Sequence, residues 1–144
     1  IFKRLNPKSL LHKGIMHKDQ DISYQTVQRT EDFYEAEKYF NLAIENNNQF
    51  PDPYFHRGDL YLEKFTLYYF PDFNESKNFL TKSIQDLKSA LKIRYEHKWN
   101  DLLNEAKNIA RNYYRLSKQE KNLWGKKIDK RGWENEFDQW FENL

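Results

Sequence analysis

An all-α fold is what this sequence predicts, and three observations carry that expectation. Gly and Pro number four each in 144 residues, too few turn-formers for a many-stranded β protein. Mean hydropathy is low at -1.07, yet aromatic residues make up 17% of the chain. Disordered chains are poor in aromatics, so a wet surface around a core of Phe, Tyr and Trp is the better fit. Finally, two stretches of the chain repeat one another at helical spacing. At 144 residues the chain is sized for one domain with a substantial core.

The repeat begins at residues 7–14, Pro-Lys-Ser-Leu-Leu-His-Lys-Gly, which align with residues 51–58, Pro-Asp-Pro-Tyr-Phe-His-Arg-Gly, at an offset of 44. A second match follows each. Residues 32–44 (DFYEAEKYFNLAI) align with 72–84 (DFNESKNFLTKSI) at an offset of 40. Two matches in the same order predict a helix pair used twice. Pro7 and Pro51 suit a first helical turn. Gly14 and Gly58 fall inside helices, at a cost of about 1 kcal/mol each unless a neighbouring helix needs close approach. The D-x-x-E pairs Asp32…Glu35 and Asp72…Glu75 read as capping boxes that open the second helix of each pair. Within those helices Ala36, Ala43, Ser76 and Ser83 are small beside Phe40 and Leu80, a pattern for close packing.

With Gly14 or Gly58, the D-[FY]-x-E-[AS]-x3-[FL]-x2-[AS] helix and a following Pro in place, residues 7–95 resemble the tetratricopeptide repeat. Phe33 to Gly58 is the stretch most like it, with Tyr54 and Tyr61 on its aromatic positions. Ser stands in place of Ala in the second copy, and both intra-repeat loops are expected to be long, with extra residues near 18–31 and 65–71, which resembles the Sel-one-like branch. The resemblance implies a short helical-hairpin solenoid, with residues 7–50 as the first repeat and 51–95 as the second. It also implies a peptide groove lined by Lys8, Leu11, Ile15 and Lys18 from one helix and Asp52, Phe55, Asp59 and Leu62 from the next. One subset of the family clamps an acidic peptide C-terminus. Leu11, Ile15 and His56 stand at three of those clamp positions here, which argues against that activity.

Beyond Ile84 apolar spacing continues through Leu87, Leu91 and Tyr95, predicting a helix longer than a repeat needs. Trp99, Leu102, Leu103, Ala106, Ile109, Ala110, Tyr113 and Leu116 then form an amphipathic series, read as a capping helix over 96–123 that covers the end of the stack. Residues 124–144 form an aromatic tail. In it Trp133, Phe137, Trp140, Phe141 and Leu144 share one helical face, either packed back on the chain or reaching a partner as an aromatic anchor. The apolar run at 65–71 is expected to extend the preceding helix or to meet a partner.

Chemistry is not signalled. No pair of His12, His17, His56 and His97 has HExxH spacing, and no G-x-S-x-G or Walker-type run exists. Without Cys, disulfides and thiolate sites are excluded. No catalytic residue, cofactor or metal is therefore expected. The net charge is +2, from 24 basic and 22 acidic residues, too balanced to imply nucleic-acid binding by itself. A protein-binding scaffold or complex subunit leads. RNA binding through the Lys/Arg clusters at 126–131 and Lys3-Arg4, with aromatic stacking, is the alternative. No apolar run reaches the roughly 18 residues of a membrane span. Lack of Cys suits an intracellular, reducing compartment. The start at Ile1 predicts a fragment or a processed chain, in which a removed targeting segment would be invisible.

Overall fold

The computed structural model describes residues 6–23, 27–67, 73–120 and 130–144, with side chains placed for 6–19, 31–66, 77–115 and 132–144. Among them the structure is all helical: α1 (Pro7–Ser23), α2 (Val27–Asn46), α3 (Asp52–Leu67), α4 (Phe73–Ile93), α5 (His97–Glu120) and α6 (Lys130–Glu142). No strand occurs among the described residues.

Local chemistry sets several boundaries. Asn6 caps α1: its Oδ1 accepts from Lys8 N–H at 3.0 Å, and its carbonyl accepts from Leu10 N–H at 3.1 Å. Pro7 takes the first helical position as expected. Pro51 stands one residue before α3, where its carbonyl accepts from Phe55 N–H at 3.2 Å. The proline inside that first turn is Pro53, which is fully buried. Between α2 and α3, Asn47 Oδ1 accepts from Gln49 N–H at 3.1 Å and closes the turn.

Three expectations are corrected. The extra residues near 18–31 are mostly helix, because α1 runs to Ser23 and α2 starts at Val27. Asp32 therefore lies more than a turn inside α2 and caps nothing. Its Oδ1 instead meets Nδ1 of His17 on α1 at 2.9 Å. The counterpart box at Asp72 lies outside the described residues. Finally, α4 stops at Ile93, and Tyr95 is 64% exposed in the short connection to α5. Of residues 65–71, Phe65 to Leu67 extend α3, while Tyr68, Tyr69 and Phe70 lie outside the described residues.

Among the described residues α1 packs most extensively on α2 and α3 on α4, and a glycine in each pair allows a close local approach. A Cβ on Gly14 would sit 2.4 Å from Cε1 of Phe40. One on Gly58 would meet Leu87 Cγ and the Ser83 carbonyl at 3.1 Å. The Ser83 hydroxyl also donates to the Gly58 carbonyl at 2.7 Å. This Ser, where the first copy has Ala43, ties α4 to α3 by a buried hydrogen bond.

Two neighbouring cores result. Leu11, Phe33, Ala36, Phe40, Leu60 and Tyr61 fill the space between α1, α2 and α3. Leu62, Leu80, Ile84, Leu87, Ala106, Ala110, Trp133, Phe137 and Phe141 fill the space between α3, α4, α5 and α6. Phe79 of α4 joins them, edge-on to Phe33 at 6.0 Å. The odd-numbered helices also touch in sequence, α1 on α3 and α3 on α5. They start at Pro7, Asp52 and His97, a spacing of 45 residues both times.

Candidate partner-binding surface

The expected groove residues divide by burial. Lys8 is exposed; Ile15, Asp52, Phe55 and Asp59 are half-buried; Leu11, Lys18 and Leu62 are buried. Leu11 belongs to the first core and Leu62 to the second, so neither offers a free surface. Ile15 leans on the first core from outside.

Lys18 is the bridge between α1 and α3. Its Nζ donates to Oδ2 of Asp59 and to Nδ1 of His56, both at 2.9 Å. An ammonium this buried is tolerated because a carboxylate and an acceptor nitrogen meet it. His56 must then be neutral, with its proton on Nε2. Burial, with the Lys18 charge second, pushes its pKa from 6.5 down to about 3. The ring also stacks on Phe40 at 6.1 Å and meets Phe55 edge-on at 5.0 Å. His12, its counterpart in the first copy, is exposed.

Toward α5 the strip continues through aromatic contacts. Phe55 stacks on Trp99 at 5.2 Å, with ring planes 15° apart. The Arg94 guanidinium lies 5.0 Å from the Trp99 ring centre, and its Nη2 donates to Oδ1 of Asp52 at 3.0 Å. Sequence reasoning missed Trp99 and Arg94 as members of this strip. A signal existed for Trp99: it stands 44 residues after Phe55, which stands 44 after Leu11.

A second polar network locks α3 to its other neighbours. Arg57 grips Asp86 with two bonds of 2.7 and 2.8 Å and reaches Asn41 Oδ1 at 2.7 Å. Burial pushes the Asp86 carboxyl up against the opposing pull of Arg57. Burial also works against the Arg57 charge, but Asp86 outweighs it and raises that pKa. Tyr61 donates to Glu37 Oε2 at 2.7 Å, and burial first, then Glu37, raises its phenol. These bonds are structural: each donor faces an acceptor on a neighbouring helix.

The aromatic tail folds back. Trp133, Phe137 and Phe141 are buried in the second core, and Trp140 packs against it half-buried. In this arrangement their faces meet the chain's own helices. The basic run at 126–131 and Lys3-Arg4 lie outside the residues whose side chains are described.

Among the described residues no three His, Asp or Glu side chains gather to hold a metal, and no helix is long and apolar enough to cross a membrane. The α1–α3–α5 strip can thus offer an apolar centre at Ile15 and Phe55 between charges of both signs. Comparison with protein-family models, curated proteins and solved structures finds no match to this chain.

Proposed function

We propose that this chain is a non-catalytic helical-repeat module of the tetratricopeptide type that binds another protein, as a scaffold or accessory subunit of a larger assembly. The observation that carries the reading is the stacking of α1 on α3 and α3 on α5, with starts 45 residues apart. Stacked first helices are how helical-hairpin arrays build an extended recognition face. Paired glycine approaches at Gly14 and Gly58 support the same reading, since they occupy matched positions of the two copies. In this reading α5 is a third first-helix, and α6 stands in for its partner.

The proposed contact surface consists of Lys8, Ile15, Asp52, Phe55 and Asp59, with Arg94 at its far end over the buried Trp99. Lys8→Glu, Ile15→Ser and Asp52→Lys, introduced together in the full chain, should leave far-UV circular dichroism unchanged. The same variant should no longer retain a protein that the unaltered chain captures from native extract and that binds it when purified. Equal retention of that protein by both would place binding elsewhere. Binding of RNA that weakens log-linearly with salt, without any bound protein, would replace this reading with the nucleic-acid one.

A further inference from the structure

The α6 helix and the surface beneath it are unlike in charge. From Gly132 to Leu144 the sequence holds no Lys or Arg, and Glu134, Glu136, Asp138 and Glu142 are all exposed. The surface beneath offers Lys88 from α4 and Lys107 and Arg111 from α5. Each cation addresses a ring of α6. Arg111 lies 5.8 Å from the Trp133 ring centre; Lys88 and Lys107 lie 4.2 and 4.5 Å from that of Phe141. The rim adds Arg111 to Glu134 at 3.7 Å and the Tyr114 hydroxyl donating to Glu136 at 2.6 Å. Lys88 also donates to the Phe141 carbonyl and, at 3.5 Å, to that of Leu144, closing the helix C-terminus.

This pattern is a recognition code. Rings at four-residue spacing (Trp133, Phe137, Phe141) enter the apolar seam lined by Leu87, Ala106 and Ala110. Acidic side chains between them face water and the basic rim. Cation–π contacts, desolvated rings and charge-paired edges are the usual makings of a helix-in-groove interface.

The limited backbone contact of α6 with its neighbours favours its release as a unit. Among the described residues it packs on α5 over a smaller extent than α1 on α2 or α3 on α4. It has 13 residues, and an isolated helix of that length is marginal in water, so docking and helix formation are a single event. Residues 121–129 join it to α5.

We infer that the α4–α5 face is a receptor for an acidic amphipathic helix with aromatic residues at four-residue spacing, held in cis by α6 and open to a partner segment of the same pattern. This rests on the protein-binding reading but uses a different face, so either can fail alone. Loss of extract-protein capture tests the α1–α3–α5 strip, whereas a defined peptide tests this face.

The probe is a labelled peptide of residues 130–144, titrated by fluorescence anisotropy against three full chains. These are the unaltered chain, a Phe137→Ala chain, and a Glu134→Lys, Glu136→Lys, Asp138→Lys chain that keeps every ring. Occupancy in cis scales apparent affinity down to the fraction of chains that are open, so the loosened chains should bind the peptide roughly tenfold to a hundredfold more tightly. Adding Lys88→Glu and Lys107→Glu to either should remove that gain. If the Phe137→Ala chain loses its overall helicity, the charge-reversed chain decides. Equal affinity for all chains, or no binding to a loosened chain that keeps its α1–α5 helicity, would overturn the inference. So would hydrogen exchange in the unaltered chain showing that α6 amides open only with global unfolding.

Discussion

Gly14 and Gly132 are both helical, yet they predict opposite responses to one methyl group. At Gly14 the new Cβ would lie 2.4 Å from a Phe40 ring that is itself fully buried and has nowhere to swing. Gly14→Ala is expected to destabilise by about 1–3 kcal/mol, the usual range for overpacking. At Gly132 nothing lies within 4 Å, so Gly132→Ala should stabilise α6 by about 0.5–1 kcal/mol. Urea midpoints of the two variants measure both signs. His56 makes a pH prediction. Its folded pKa is lowered to about 3, whereas an unfolded His titrates near 6.5. Within that window the unfolded chain binds more protons, so His56 contributes stability that is complete above about pH 6.5 and is lost as pH falls toward 3. His56→Asn keeps an acceptor for Lys18 and removes the titration. Its urea midpoint should fall less steeply between about pH 6.5 and 4 than that of the unaltered chain.

Pairs of helices are held by different chemistries. Between α3 and α4 the Arg57–Asp86 pair is decisive, because both groups are largely out of water. Arg57→Met alone would strand the Asp86 charge and should cost about 3–5 kcal/mol. Adding Asp86→Leu should return most of that loss, since two apolar side chains need no mutual compensation. Thermal melts of the single and double variants check the pair. Element existence was legible in the sequence for α1 to α6 because apolar residues recur at helical spacing. Boundaries were less so. Asp32…Glu35 carries the pattern of a cap, yet a cap is defined by where the backbone starts to coil, and here that start lies upstream at Val27. Asp32 was drawn instead to His17, a partner 15 residues away that no local motif can announce. Its Oδ2 has no hydrogen-bond partner among the described residues. Tyr95 misled differently: it continues an apolar rhythm while standing in water.

Across the whole molecule, burial redistributes the residues that the resemblance assigned to a groove. Leu11 and Leu62 went to the cores because α1 and α3 present them to α2, α4 and α5 rather than outward. Lys18 went inward because Asp59 and His56 await it on α3. Burial of this kind depends on the neighbouring helix, which spacing along one helix does not reveal. The tail shows the converse: its ring spacing announced a sticky face, and only the packing names Lys88, Lys107 and Arg111 as what it meets. The regular starts of α1, α3 and α5 have a consequence for chain length. Under the proposed repeat reading, such a stack can be lengthened at a joint. Inserting a second copy of residues 52–95 after Tyr95, 44 residues, would set the duplicate of Phe55 on the original one, an aromatic ring where Trp99 now lies. It would also return an Asp52 to each Arg94. The longer protein should gain two helices' worth of ellipticity and melt no lower than its parent, so that size becomes an adjustable property of this architecture.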